Sequence, residues 1–111
     1  MAKLKCGNIY ANIPAIKLKE VFETILVDKK VKIERIISRG HRTDKGKWLK
    51  QAGGEWVIVL KGAGNLRFFG DNRLLALKPG DYVFIPGNTI HRLEWTPPAQ
   101  ETIWLAVHNR K

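Results

Sequence analysis

The residues with the clearest chemical potential are a glutamate and a histidine, Glu55 and His91, near the two ends of the strongly patterned stretch 53–95. Side chains alternate between the two faces of a β-strand. Glu55 then shares a face with two valines, and His91 shares one with a leucine and a tryptophan, so we expect both faces to point inward. A buried carboxylate or imidazole is unfavourable unless it is paired. A metal ion that binds both groups would meet this need. A hydrogen-bonded Glu–His pair, or a Glu55 that reaches water at the end of its strand, is the alternative.

The elements that must position these residues are short strands separated by glycine- and proline-bearing turns. Residues 1–18 show no clean period and are expected to form an irregular N-terminal arm. Residues 20–27 and 31–38 are expected to form a hairpin. The remaining expected β segments are 48–51, 55–61, 65–69, 73–78, 82–85, 90–95 and 101–108. Eight or nine such strands, with little room for a helix, predict an all-β sandwich or barrel.

Length and composition narrow the possibilities. A chain of 111 residues with 44% hydrophobic residues has room for one domain with one core. No apolar run approaches the roughly 20 residues that span a bilayer, and the first residues do not resemble a secretion signal. Cys6 is the only cysteine, which excludes an internal disulfide framework and a multi-cysteine zinc site. We therefore expect a cytoplasmic protein without membrane association.

The formal net charge of +10 raises the possibility of nucleic-acid binding. The richest basic stretch is 29–50, with nine Lys and Arg against two acidic residues. Proteins that bind single strands interleave stacking aromatic residues with such charges, and here only Trp48 does so. The pattern favours a solvated basic surface over a nucleic-acid interface.

The spacing of glycine, proline and histidine in KPGDYVFIPGNTIH resembles the second motif of the cupin superfamily, here at Gly80, Pro86 and His91. The end of the first motif is matched by Glu55 and Gly62. The chain is similar to the small single-domain proteins of the cupin-2 type. This resemblance implies a double-stranded β-helix, or jelly-roll barrel, as one domain over residues 1–111 with its barrel core at 31–107.

The resemblance also implies a metal site, with one departure. Cupin sites take two histidines spaced H-x-H before the glutamate, and those positions hold Leu49 and Gln51 here. The implied ligands reduce to Glu55 and His91, with Gln51 as a candidate third. His41, in the polar loop 40–46, is a candidate fourth because loops often supply functional groups to a rigid barrel, and an exposed loop histidine is the alternative. Such mixed nitrogen and oxygen ligands suit Zn, Ni, Mn or Fe(II). The missing histidines argue against dioxygenase-type iron chemistry.

Aromatic and imidazole side chains suggest where a small molecule could bind and where a second copy could dock. Trp95, Trp48 and His108 are candidate pocket residues, with core packing as the alternative for the indoles and a surface position as the alternative for His108. Trp56, Ile58 and Leu60 form a second apolar face on the strand that carries Glu55. This face needs a cover, and a homodimer would supply one.

Three functions follow from these observations. The first is a barrel that binds a divalent metal and a small molecule, with the isomerase, lyase or oxygenase chemistry that the resemblance implies. The second is a ligand-binding or sensing barrel without metal or catalysis, whose positive charge would attract an anionic ligand. The third is nucleic-acid binding through residues 29–50.

Overall fold

The computed structural model describes residues 3–15 and 19–110, and within these ranges it contains strands and turns but no helix. The eight strands are β1 (Val21–Val27), β2 (Val31–Ser38), β3 (Glu55–Lys61), β4 (Gly64–Phe68), β5 (Leu74–Leu77), β6 (Tyr82–Ile85), β7 (His91–Trp95) and β8 (Thr102–Asn109). The all-β jelly-roll prediction is thereby confirmed. Among the described residues there is also no helix long and apolar enough to cross a membrane.

The strands form two antiparallel sheets, one of five strands in the order β1-β2-β8-β3-β6 and one of three in the order β5-β4-β7. The predicted hairpin is present as β1 paired with β2. The inward faces of both sheets form one hydrophobic core. Its buried members are Val57, Val59, Leu66, Leu77, Ile85, Leu93, Trp104 and Ala106.

Two glycines of the recognised motifs occupy backbone conformations that L side chains avoid. Gly62 has φ of 83° and Gly80 has φ of 91°, and each lies in a turn at the end of a strand. A side chain at Gly62 would also meet the backbone of residues 101–102 within 3 Å. These glycines are needed because the tight returns between strands require positive φ.

The described part of the N-terminal arm, residues 3–15, lies across the outer face of the five-stranded sheet. The Arg35 guanidinium donates hydrogen bonds to the arm carbonyls of Ile9 (2.9 Å), Ala11 (2.7 Å) and Asn12 (3.3 Å). Further along, the Tyr10 hydroxyl donates to the Leu60 carbonyl at 3.4 Å. The arm therefore crosses from β2 to β3. Residues 1–2 and 16–18 of the predicted arm lie outside the described residues.

Close packing of Gly64 on Trp104 gives a first prediction. A Cβ at Gly64 would lie 2.3 Å from two atoms of the indole ring, and both residues are buried. We expect Gly64→Ala to lower the free energy of unfolding by about 2–3 kcal/mol, because overpacking a filled core forces neighbours off their rotamers. Urea unfolding measures this loss.

The matched control is Gly7→Ala, where a Cβ would meet nothing within 4 Å and stability should be unchanged. Trp104→Phe removes the indole atoms that clash. We therefore expect the double variant to lose less free energy of unfolding than the two single variants lose in sum. Strict additivity of the two changes would contradict the assigned contact.

Candidate functional site

Glu55 begins β3 on the inward face, as the sequence pattern predicts. In register it lies opposite His108 of β8 and Ile85 of β6. None of the described residues donates a hydrogen bond to its carboxylate. Burial raises the pKa of Glu55; the neighbouring imidazoles of His108 and His91, when protonated, oppose this increase, and the Glu34 carboxylate adds to it. The Glu55 carboxyl group is thus half-buried and close to two imidazoles.

His91 begins β7 and is 6% exposed. Its Nδ1 lies 3.0 Å from the carbonyl oxygen of Thr89. Because a carbonyl oxygen can only accept, Nδ1 carries a proton and the neutral ring presents the lone pair of Nε2. The Phe68 ring packs near the imidazole, with the centroids 6.1 Å apart. The side chain is therefore held in one orientation and one tautomer.

His108 is the centre of a hydrogen-bonded chain beside Glu55. Its Nε2 lies 2.7 Å from a Glu34 carboxylate oxygen, and its Nδ1 lies 3.3 Å from the amide nitrogen of Gln51. The carboxylate accepts and the amide nitrogen donates, so both ring nitrogens are occupied. Lys32 approaches the second Glu34 oxygen at 3.4 Å. The chain fixes the ring of His108 but leaves it no free nitrogen for a metal.

Sequence reasoning missed Glu34, which is 7% exposed. A signal for it existed, because Glu34 is a carboxylate in an apolar strand and shares the inward face of Ile36 and Ser38. The sequence did not show that Glu34 contacts His108, because β2 pairs with β8 across more than sixty residues of sequence.

The structure does not bring His41 to Glu55 and His91. The loop that carries it runs along β7, with Leu49 bonded to His91 and Thr43 to Leu93 through their backbones. The carbonyl of His41 accepts a hydrogen bond from Thr96, at the far end of that strand. Its Nδ1 accepts the Arg39 amide at 2.8 Å. His41 therefore lies at the Thr96 end of β7, and His91 lies at the other end of the same strand.

The two pocket tryptophans lie on the outer side of the three-stranded sheet. A β-bulge places Trp95 opposite Asn65 while Leu93 pairs with the buried Leu66, so the alternation that predicted an inward indole is interrupted. Trp95 is 44% exposed. Trp48 packs edge-to-face on Phe69 at 5.2 Å, with the Arg92 guanidinium 5.9 Å from its ring centre. Neither indole lines the cavity described below.

A cavity of about 100 Å³ lies inside the barrel. Two of its lining residues are strand neighbours of the candidate site residues. Leu49 pairs with His91, and Ile85 pairs with Glu55. Its opening is flanked by Phe22 and Leu49, both partly exposed. The full lining is Glu20, Phe22, Ile36, Leu49, Val57, Leu66, Ile85, Leu93 and Trp104. Neither Glu55 nor His91 is among the described residues that line it.

The described residues do not fit the four-ligand metal site that the resemblance implies. They contain no group of three or more His, Cys, Asp or Glu side chains placed to hold a metal ion. Glu55 and His91 keep free ligand atoms, but Leu49 has none and the Gln51 amide nitrogen is directed at His108 and at the Gly53 carbonyl. Two strong ligands remain, one carboxylate and one imidazole.

Comparison with known proteins agrees with this architecture. The family model of the cupin domain matches residues 40–108, which is more than half of the chain. A search of curated proteins finds no match.

Solved structures supply close relatives in fold. A protein from Ralstonia eutropha, described as a candidate mannose-6-phosphate isomerase, is 37% identical, with a TM-score of 0.91 over 96% of this chain and 99% of that one. A cupin superfamily protein from Desulfitobacterium hafniense has a TM-score of 0.73 at 17% identity, over 89% and 84% of the two chains. A polyketide cyclase from Streptomyces resistomycificus has a TM-score of 0.71 at 18% identity, over 83% and 66%. The last two show the fold alone. The matched motifs, the two facing sheets and the family match together place this chain in the cupin family.

Proposed function

We propose that the protein is a small-molecule enzyme that moves a proton next to a carbonyl group, with Glu55 as the general base. The observation that carries this proposal is the half-buried Glu55 carboxylate, which lies opposite His108 in the sheet and close to the imidazole of His91. A base works best when its pKa lies near the working pH, and burial moves the pKa of Glu55 in that direction.

The proposed step balances on the chain's own residues. The C–H bond next to the carbonyl breaks, its proton passes to a Glu55 oxygen, and its electron pair becomes the new C=C bond of an enolate. His91 in its protonated form donates from Nε2 to the enolate oxygen, while Nδ1 stays bonded to the Thr89 carbonyl. For an α-hydroxy carbonyl compound, His91 passes its Nε2 proton to the enolate oxygen to form an enediol and takes back the proton of the other enediol hydroxyl. Glu55 then returns its proton to the former carbonyl carbon, which completes an isomerisation.

The relative from Ralstonia eutropha supports this class of reaction. Interconversion of aldose and ketose forms is a proton transfer between adjacent carbons, and that protein, described as a candidate isomerase of this kind, covers nearly the whole chain at 37% identity.

The test is deuterium exchange of hydroxyacetone, the smallest α-hydroxy ketone, followed by proton NMR in D2O. We expect the protein to accelerate loss of the proton signal next to the carbonyl, before and after treatment with EDTA. An exchange rate equal to that of buffer would overturn the proposal.

Metal binding is the second candidate, and the fixed tautomer of His91 favours it, because ligating histidines usually hold their other nitrogen in such a hydrogen bond. Glu55 and His91 would then hold a Zn, Ni, Mn or Fe(II) ion, with water completing its coordination. Elemental analysis after incubation with each ion separates the two functions. Stoichiometric metal in the wild type, absent from the Glu55→Ala, His91→Ala double variant, together with exchange that EDTA abolishes, would favour this second candidate.

We also propose a homodimer through the outer face of β3. Trp56, Ile58 and Leu60 point outward there, beside the exposed rings of Tyr82 (65%) and Phe84 (58%). Ile58→Asp is expected to raise the dimer dissociation constant at least about tenfold, since one buried charge costs more than the roughly 1.4 kcal/mol that this factor represents. Light scattering over a dilution series measures it. Lys61→Asp, at the exposed end of the same strand, is the control; an unchanged mass for folded Ile58→Asp would count against this face.

A further inference from the structure

The outer face of the three-stranded sheet brings together aromatic rings that are far apart in the sequence. Trp48 packs edge-to-face on Phe69, with their ring centroids 5.2 Å apart. Trp95 lies on the same face, opposite Asn65 of β4. Trp48 is 37% exposed, Phe69 61% and Trp95 44%. Large apolar residues that are exposed singly need no explanation, but a group of them marks an interaction surface.

A basic loop, residues 42–50, is fixed along one edge of this face. The Arg92 guanidinium donates hydrogen bonds to the loop carbonyls of Thr43 (2.7 Å), Lys47 (3.2 Å) and Asp44 (3.3 Å). The loop backbone is also hydrogen-bonded to the backbone of β7 at two points along that strand. The basic loop therefore has a defined position beside the rings.

The basic loop carries an excess of positive charge. It contains one acidic residue, Asp44, and four exposed basic residues, which are Arg42, Lys45, Lys47 and Lys50. Within the described ranges 3–15 and 19–110, none of these four forms an ion pair. The turn after β4 adds one charge of each sign, at residues 71 and 73, so the excess remains.

The sheet itself adds one further positive charge between the rings. Glu94 contacts two guanidinium groups, that of Arg67 at 3.3 Å and that of Arg92 at 3.2 Å, so two cations share one carboxylate. Arg92 lies 5.9 Å from the centre of the Trp48 ring. Three residues of strand, roughly 10 Å, separate Arg92 from Trp95. Positive charge and exposed rings therefore alternate across this face.

We propose that the outer face of the three-stranded sheet, with the basic loop at its edge, binds a single-stranded nucleic acid. Proteins that bind single strands combine aromatic rings, on which bases stack, with positive charge along the phosphate backbone. In the sequence only Trp48 stands among the basic residues, but folding places Phe69 and Trp95 on the same face. The bases of a duplex are already stacked on one another, and acidic polypeptides have no bases, so neither uses the rings in this way.

The test is fluorescence anisotropy with labelled strands of about 12 nucleotides, a length within the usual range of site sizes. The probes are oligouridine, oligothymidine and an abasic strand of the same length and charge. We expect the tighter of the two base-bearing strands to bind with a Kd below about 100 µM. The abasic strand should bind at least about fivefold more weakly, because each stacked base contributes about 1 kcal/mol or more.

Two tryptophan variants test the stacking rings. Trp48→Leu and Trp95→Leu keep an apolar side chain but remove the ring, so each should weaken binding of the base-bearing strand at least about fivefold. Neither change should alter binding of the abasic strand. Trp95→Phe, which keeps an aromatic ring, should retain most of the affinity. Urea unfolding shows that each variant is folded, and the comparison with the abasic strand requires no variant.

The salt dependence of binding tests the basic loop. The logarithm of affinity should fall with the logarithm of salt concentration with a slope of about −3, because four loop cations at about 0.7 each neutralise phosphates of a single strand. The double variant Lys45→Gln, Lys47→Gln should reduce this slope by about half. The matched control is Lys29→Gln, Lys30→Gln, which removes the same charge from the turn between β1 and β2 on the other sheet and should leave the slope unchanged.

Three results would overturn the proposal. The first is an abasic strand that binds as tightly as the base-bearing strands. The second is wild-type affinity in both folded leucine variants. The third is binding of polyglutamate, or of a duplex of the same length, that is at least as tight as binding of the single strands. The hydroxyacetone assay is independent of these results, because Glu55 lies on the five-stranded sheet.

Discussion

Replacing Glu55 with glutamine is expected to slow deuterium exchange of hydroxyacetone by a factor of about 10² to 10⁴, the usual contribution of a positioned general base. Glutamine has the shape of glutamate but cannot take up a proton. The opposed His108, the hydrogen bonds of His91 and the cavity should be unaffected, so the loss reports the missing base. Initial exchange rates followed by NMR for both proteins give the ratio.

The matched control is Glu101→Gln, which changes a partly exposed carboxylate paired with Lys61 at 3.7 Å, and whose exchange rate should equal that of the wild type. The wild-type rate should also rise with pH through a pKa above the 4.5 of an ordinary glutamate, because only the ionised carboxylate accepts the proton. A Glu55→Gln rate within threefold of the wild type would remove Glu55 from the mechanism.

The same substitution has a consequence for stability whose sign is fixed by linkage. Burial raises the pKa of Glu55 in the folded protein, so between the unfolded and folded pKa values the folded state binds more protons, and stability falls as pH rises through that interval. Glu55→Gln removes this loss. Urea unfolding of both proteins at pH 7 and pH 4 measures this effect. We expect the difference in free energy of unfolding, variant minus wild type, to be more positive at pH 7 than at pH 4. A variant that is inactive and relatively more stable at pH 7 distinguishes a functional carboxylate from a structural one.

The fold could be predicted from the sequence because its signals are local. Alternating apolar residues specify strands such as β3, and turn residues such as Gly62 and Gly80 end them where positive φ is needed. The exception is β7, where alternation predicted an inward Trp95. A bulge is set by the pairing of two strands, here β4 and β7, and no local pattern in the sequence specifies it.

The site was harder to predict than the fold because its contacts are between distant residues. Glu55 and His91 could be chosen from their motifs, and His108 from the face it shares with Trp104. The residues that contact these three side chains could not be predicted, since the Glu34–His108 hydrogen bond depends on the register between β2 and β8. Likewise, the sequence does not show that His41 and His91 lie at opposite ends of β7, because this depends on how the loop runs along that strand.

Loss of the Arg35 side chain should have the largest effect on stability. Arg35→Met is expected to lower the free energy of unfolding by about 3 kcal/mol, because hydrogen bonds from a charged donor contribute roughly 1.5–3 kcal/mol each and three arm carbonyls lose their donor together. Methionine retains an apolar stem, so the packing of the chain below the guanidinium is largely kept. Urea unfolding gives the size of the loss, and thermolysin cleavage within residues 3–15, followed by mass spectrometry, shows whether the arm is released.

Two further variants separate the carbonyl bonds from the ion pair. Glu23→Gln removes the charge that Arg35 contacts at 2.7 Å, but the Glu23 side chain is 35% exposed, so we expect a loss of no more than about 1 kcal/mol. Arg67→Met, which breaks a comparable pair with Glu94 at 3.3 Å on the other sheet, should cost a similar small amount and leave the arm resistant to protease. If Arg35→Met matched these two variants in stability and the arm stayed protected, the arm would be held by its apolar contacts instead. The fully buried Ile37 and Ile103, on the same outer face as Arg35, would then be the residues to change next.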